Sequence, residues 1–316
     1  MTRVLVTGGT GYVGARLAAY LAGEGAEVVV STRQPVHALP YLPGAAVAQV
    51  DFSDKASLRA AMEGVDIVYH LAGANEIVAG QDPQRAVTDT ITASLNALDA
   101  AVDAEVRRFV NFSTAHIYGP LVGRITEASP TKPTHPYAIT NLAVEHFVQR
   151  CDAMGRIEAV NIRLSNAVGA PLHAHVDRWT LVATDLCRMA VERGELRLQS
   201  DGTQARDFVP LSDVVRIAAA LGQRPRADLG EGAFNLGNGR TETVGTIAQM
   251  IQAAYQARTG QDIAIHYGPA PATVSNAAPL EFSIDRLRAL DLVPETSLEA
   301  ELAQTLDACF TFFGSD

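Results

Sequence analysis

Short apolar runs alternate with helical patterns through the first half of the chain. Val4-Leu5-Val6 reads as a buried strand that breaks into glycines and then into a helical pattern over roughly residues 11–22. Glu27-Val28-Val29-Val30-Ser31 predicts a second strand, Ala46 to Val50 a short third, Asp66 to Leu71 a fourth and Arg108 to Ser113 a fifth. Gln84 to Ala101 reads as a helix. Another is expected from Tyr137 to Arg150, with Pro136 in its first turn. Strands buried on both faces, alternating with helices and lacking a long antiparallel meander, predict an α/β fold: a Rossmann-type, doubly wound parallel sheet.

Beyond Asn166 the pattern loosens. His173 to Trp179 is a polar and aromatic insertion, read as a substrate lid, before a helix over roughly Thr180 to Glu192. Phe208-Val209-Pro210-Leu211 reads as a strand with a helix following through Leu221. Phe234 to Gly237, a helix from about Val244 to Gln256, Ile263 to Tyr267, a Pro- and Ala-rich surface loop from Gly268 to Pro279 and a final amphipathic helix complete a smaller mixed α/β unit. The expected division is a dinucleotide-binding domain over 1–164 and a mainly substrate-binding domain over 165–316, with about 207–222 returning to the N-terminal sheet.

The candidate chemistry gathers at the strand ends. Gly9-Thr10-Gly11-Tyr12-Val13-Gly14 satisfies G-x-G-x-x-G directly after a strand, where glycines permit the turn and the helix N-terminus faces a pyrophosphate. The second strand runs into Ser31-Thr32-Arg33 without the acid that accepts a ribose 2′-OH, so NADP is favoured over NAD, with Arg33 clamping the 2′-phosphate. Asp51 is placed to meet the adenine amino group, and the small Ala72 and Gly73 admit backbone close to the cofactor. A hydroxyl at the end of the fifth strand and Tyr137 on the following helix both suit a carbonyl held against a nicotinamide.

Composition narrows the partners. The net charge is −10 with two lysines, Lys55 and Lys132, and no basic run, so nucleic acid and anionic membranes are poor partners. Three cysteines without metal spacing point to a reducing, cytoplasmic setting. No signal peptide or membrane span is expected. His173 and His175 lack further ligands nearby, so no metal is expected. Trp179 suits either stacking on a base or sugar, or a core anchor.

Taken together, Thr7-Gly8-Gly9-Thr10-Gly11-Tyr12-Val13-Gly14, Asp51-Phe52, His70-Leu71-Ala72-Gly73, Ser113-Thr114-Ala115-His116-Ile117-Tyr118-Gly119, Pro136-Tyr137, Arg163 to Gly169 and Gly202 to Val209 resemble the extended short-chain dehydrogenase/reductase family, which includes UDP-galactose 4-epimerase and other nucleotide-sugar enzymes. The resemblance implies cofactor contacts from Gly8, Gly11, Tyr12, Val13, Gly14, Arg33, Asp51, Phe52, Leu71, Ala72, Gly73, Ser113, Tyr137 and Asn141. It implies Thr114 as the hydroxyl that polarises the substrate oxygen, Tyr137 as acid/base, and Asn166 and Arg206 as contacts to the substrate's phosphates. Asn141 stands with Thr114 and Tyr137 in the candidate catalytic set, and His116 suits either a substrate contact that shares the proton relay or a partly buried, hydrogen-bonded histidine. It also implies a homodimer built on the helices Gln84–Ala101 and Tyr137–Arg150.

The departures carry information too. The family's tyrosine is followed four residues later by a lysine that lowers the phenol pKa; here Asn141 stands on that face, and a neutral amide does not stabilise a phenolate. Lys132 in the preceding loop is a candidate replacement cation. Ala115-His116 replaces the Asp-Glu pair of the dehydratases, which disfavours 4,6-dehydration, and no arginine lies between Arg258 and Arg286, where many members pair one with the diphosphate. The expected activity is therefore NADPH-dependent reduction of a keto group on a nucleotide-activated sugar. The alternatives are an epimerase using bound NAD(P) and a catalytically degenerate dinucleotide-binding regulatory or scaffold protein.

Overall fold

The computed structural model describes residues 1–34, 38–176, 178–270 and 278–314. In chain order its strands are β1 (Arg3–Thr7), β2 (Glu27–Thr32), β3 (Ala46–Gln49), β4 (Ile67–His70), β5 (Arg108–Thr114), β6 (Arg124–Ile125), β7 (Glu158–Leu164), β8 (Asn166–Val168), β9 (Glu195–Arg197), β10 (Ala205–Pro210), β11 (Ala233–Leu236), β12 (Thr241–Thr243), β13 (Ala264–His266) and β14 (Glu281–Phe282). Seven of these form one parallel sheet in the order β11-β7-β5-β4-β1-β2-β3. Val4-Leu5-Val6, Val28-Val29-Val30 and Ile67-Val68-Tyr69 are all buried, as strands covered by helices on both faces require. The strand order reverses between β1 and β4, and in such sheets the crevice beyond the carboxyl ends at that point takes the ligand.

The expected helix from 84 to 101 is a connected series of an α-turn Pro83–Ala86, a π-type turn Val87–Thr92 and the α-helix Ala93–Asp103. Pro136–Ala153 forms the helix that carries Tyr137. The segment around 207–222 divides. Its helix, Leu211–Gln223, packs beside the first helix, Tyr12–Gly23, and against β5 and β7. Its strand, β10, lies instead in a separate three-stranded sheet between β12 and β8. The seat beside β7 goes to β11, every residue of which is buried, whereas β10 begins with the exposed Ala205 and half-buried Arg206. Of the expected surface loop, residues 271–277 lie outside the described residues. No helix among the described residues is long and apolar enough to cross a membrane.

A buried ion pair ties the helix Pro136–Ala153 to the sheet. Arg163 of β7 donates from Nη2 to Glu145 Oε2 at 2.8 Å and from Nη1 to the Tyr118 hydroxyl at 2.8 Å. That hydroxyl donates in turn to Asn235 Oδ1 of β11 at 2.6 Å, so Tyr118 is a structural residue spanning three elements. Removing one partner of such a pair leaves an uncompensated buried charge. Glu145→Ala is expected to cost about 3–5 kcal/mol, read as a large fall in thermal midpoint, whereas a midpoint within a degree or two of wild type would show that the pair does not anchor this helix.

Candidate active site

The turn after β1 is built by close backbone contact. Gly8 has φ +66°, and a Cβ there would meet the Leu71 carbonyl carbon at 3.0 Å. A Cβ on Gly14 would lie 2.3 Å from the Gly8 carbonyl oxygen, and Gly11 N donates to that oxygen at 2.9 Å. Gly11 caps the helix Tyr12–Gly23 without a side-chain hydrogen bond, so its first N–H groups remain available to an anion. Thr7 Oγ1 accepts from Leu71 N at 3.1 Å and Ala72 N at 3.3 Å, joining the ends of β1 and β4. Thr7, His70 and Ser94 form a buried chain with two 2.9 Å links, and burial pushes the His70 imidazole down to about 4, so the ring is neutral at physiological pH.

A cleft of about 1420 Å³ opens over these strand ends and is lined by Val13, Arg33, Asp51, Phe52, Ala72 and Gly73. Its residues fit a dinucleotide. The Ser31 and Ser113 hydroxyls on its wall are buried and lack a hydrogen-bond partner among the described residues. Arg33 lies exposed at the rim just past β2 and makes no ion pair among the described residues. Asp51 Oδ1 accepts from Ser53 N at 2.8 Å and Ser53 Oγ at 2.7 Å, which holds the carboxyl below its ordinary value. Tyr12 points away from a cofactor role for its phenol: the buried hydroxyl donates to the Gly169 carbonyl at 3.0 Å.

Thr114 ends β5, and its Oγ1 accepts from His116 N at 3.2 Å as the chain turns. Tyr137 follows Pro136 at the start of its helix, capped by His135 Nδ1, which accepts from Tyr137 N at 3.2 Å. This brings the Tyr137 phenol beside the Thr114 hydroxyl. Desolvation raises the phenol above its ordinary value, Glu76 adds to the rise, and Arg178 and Thr114 oppose it. Asn141 Nδ2 donates to the Tyr137 carbonyl at 2.8 Å, so the amide is folded back on its own helix. Lys132 is exposed and does not itself line the cleft. His116 lines the cleft, and desolvation and Arg206 hold its imidazole below the ordinary value.

On the other wall Asn166 Nδ2 donates to the Asp207 carbonyl at 2.9 Å, and Arg206 lines the cleft without an ion pair among the described residues. Beneath Arg206, the buried Asp207 carboxylate accepts from Ser165 Oγ at 2.6 Å and from Asn238 N and Gly239 N at 2.9 Å; burial nonetheless raises it to about 6. Trp179 is a core anchor, not a stacking platform: it is buried edge-on against Phe313, with ring centroids 4.9 Å apart. His173 stacks on Tyr41, whereas His175 is exposed on the cleft wall.

The glycine turn, the strand-end cleft and the paired Thr114 and Tyr137 converge with comparison to known proteins. The model of the NAD dependent epimerase/dehydratase family matches residues 4–237. This chain belongs to that family. Its members are enzymes of the extended short-chain dehydrogenase/reductase type, so the scaffold-protein alternative is set aside. Similar relatives include a UDP-glucose 4-epimerase of Halalkalibacterium halodurans, 28% identical over 84% of this chain and 83% of that one. A dTDP-6-deoxy-L-talose 4-dehydrogenase (NAD(P)(+)) of Kitasatospora kifunensis is 33% identical over 79% of this chain and 78% of that protein. The solved UDP-glucose 4-epimerase of Thermus thermophilus, in complex with NAD, superposes with a TM-score of 0.79 at 25% identity, covering 98% of this chain and 99% of its own.

Three features of this family member carry no local sequence signal: Glu76, Arg178 and the π-type turn whose Thr90 Oγ1 accepts from Ala74 N at 3.1 Å on the cleft wall. They meet only through tertiary structure. Gly14→Ala is expected to weaken NADPH and NADH binding at least about tenfold by forcing Gly8 out of the turn. Quenching of reduced-nicotinamide fluorescence measures this, with circular dichroism checking the fold; wild-type affinity in a folded variant contradicts the cradle assignment.

Proposed function

We propose that this enzyme reduces a keto group on a nucleotide-linked sugar with NADPH. The observation that carries the reading is the state of Tyr137. No lysine stands one helical turn away, the Asn141 amide is committed to the Tyr137 carbonyl, and desolvation raises the phenol, so it holds its proton at neutral pH. A protonated phenol is a proton donor, as reduction requires, and a poor base for alcohol oxidation. When bound, the reduced dinucleotide supplies the hydride. Thr114 and Tyr137 would hydrogen-bond the carbonyl oxygen, and Tyr137 would pass its proton to that oxygen as it becomes a hydroxyl. Asn166 and Arg206 would hold the diphosphate, with His116 beside the sugar.

NADP is the proposed cofactor, because Arg33 directly follows the second strand, where NAD-selective sites place an acid. A relative named as using NAD(P) supports the reading, while solved neighbours carrying NAD keep NAD as the alternative. The glycine turn Gly8, Gly11, Tyr12, Val13 and Gly14 would receive the pyrophosphate. Asp51 and Phe52 would meet the adenine, and Leu71, Ala72, Gly73, Ser113, Tyr137 and Asn141 the nicotinamide half. The second reading is epimerisation with a retained cofactor, favoured by relatives named UDP-glucose 4-epimerase. We also propose a homodimer through the helical series that includes Val87–Thr92 and through Pro136–Ala153, supported by exposed Val87, Ile139 and Phe147.

With a dTDP-linked 4-keto-6-deoxyhexose as probe, NADPH oxidation should fall at least about 100-fold in Tyr137→Phe while NADPH affinity stays close to wild type. Unchanged turnover would remove Tyr137 from the chemistry. Arg33→Ala is expected to weaken NADPH by about tenfold or more and leave NADH unchanged; an equal effect on both, measured by the same titration, would sink the NADP assignment.

A further inference from the structure

Asn141 leaves the proton-transferring phenol without the neighbouring cation of the family pattern, yet a cation stands on the opposite side of the cleft. Tyr137 packs against a cluster of Ala74, Ala79 and Ala86, with Val78 beside it, so it borders the helix Glu76–Gln81, which carries Val78 and Ala79. Glu76 opens that helix, and its carboxylate accepts from Arg178 Nη1 at 2.9 Å through Oε1 and 3.1 Å through Oε2. Both side chains line the same cleft as Tyr137. The arginine is held from behind: Thr184 Oγ1 donates to its carbonyl at 2.8 Å, and the adjoining Trp179 is sunk against Phe312 and Phe313. The pair therefore joins the helix Glu76–Gln81 to the segment before Val182–Arg193 across the cleft that Tyr137 lines.

We propose that Arg178 is a positioning residue that gives Tyr137 the positive neighbour Asn141 cannot supply, and that Glu76, by pairing with Arg178, opposes that charge and keeps the phenol a proton donor. The inference rests on Tyr137 being the proton-transferring group. The charged and titratable groups that share its cleft or cap its helix include Glu76 from the helix Glu76–Gln81, the paired Arg85 and Asp89 beside Ala86, Arg178 from the segment before Val182–Arg193, His116 from the turn after β5, Arg206 from β10 and His135 at the helix cap. Of these, Glu76 and Arg178 act on the phenol with opposite sign. An ion pair that only ties the two segments together, without electrostatic reach to the phenol, would leave the Tyr137 midpoint where it is when either member is neutralised.

The test is the tyrosinate absorbance titration of the NAD-loaded protein, taken as the difference between each protein and the same protein carrying Tyr137→Phe. Arg178→Gln is expected to move the Tyr137 midpoint up by about one pH unit and Glu76→Gln down by a similar amount. The double variant should return close to wild type, and Arg178→Lys, which keeps the charge, should stay near it. Midpoints unmoved in both single variants, or moved in the same direction, overturn the proposal. If Arg178→Gln does not fold, Glu76→Gln decides alone, since a midpoint that fails to fall contradicts it. The titration reads the phenol without turnover, so failure of the reduction assay and failure of this inference are separate results.

Discussion

The structure depends on one close approach. Gly14 lies so near the Gly8 carbonyl that no side chain fits between them, and Gly8 in turn abuts the Leu71 backbone. Three chain segments, the first strand, the first helix and the end of β4, are thereby locked at the point where strand order reverses. Thr7 reinforces the contact by accepting from Leu71 and Ala72 while meeting a neutral His70. A rigid floor of open N–H groups results, and every other functional residue is placed relative to it.

Above that floor the electrostatics are unusual for the family pattern. The Asn141 amide spends its donor on its own helix, which preserves the helix turn but offers the phenol no charge. A cationic influence comes from Arg178, which lines the same cleft and is already paired with Glu76. A phenol raised by desolvation, beside an opposing pair of charges, favours giving a proton over taking one. Arg206 lines the cleft without an ion pair among the described residues, beside a loop pinned by Asp207.

Much of this was legible in residue order. Runs such as Val28-Val29-Val30 mark strands buried on both faces, and the glycines at 8, 11 and 14 mark the turn, because both patterns follow from local sterics. Thr114 and Tyr137 were legible from their places at a strand end and a helix start. What sequence could not show was tertiary in origin. β10 and β11 both contain short apolar runs, and it is β11, buried along its whole length, that joins the large sheet. Glu76 and Arg178 are separated by 102 residues, and nothing near either one announces the other. Trp179 had two compatible readings until the C-terminal Phe312 and Phe313 were seen to enclose it.

The central claim is that this enzyme consumes a reduced cofactor, whereas an epimerase keeps and regenerates its own. The most direct measurement is the nicotinamide content of freshly purified, exhaustively dialysed protein, followed by the stoichiometry of NADPH oxidised per sugar reduced. The account predicts a site that empties on dialysis and one NADPH consumed per product. Retained nicotinamide, with sugar interconverted and no net NADPH consumption, would contradict it.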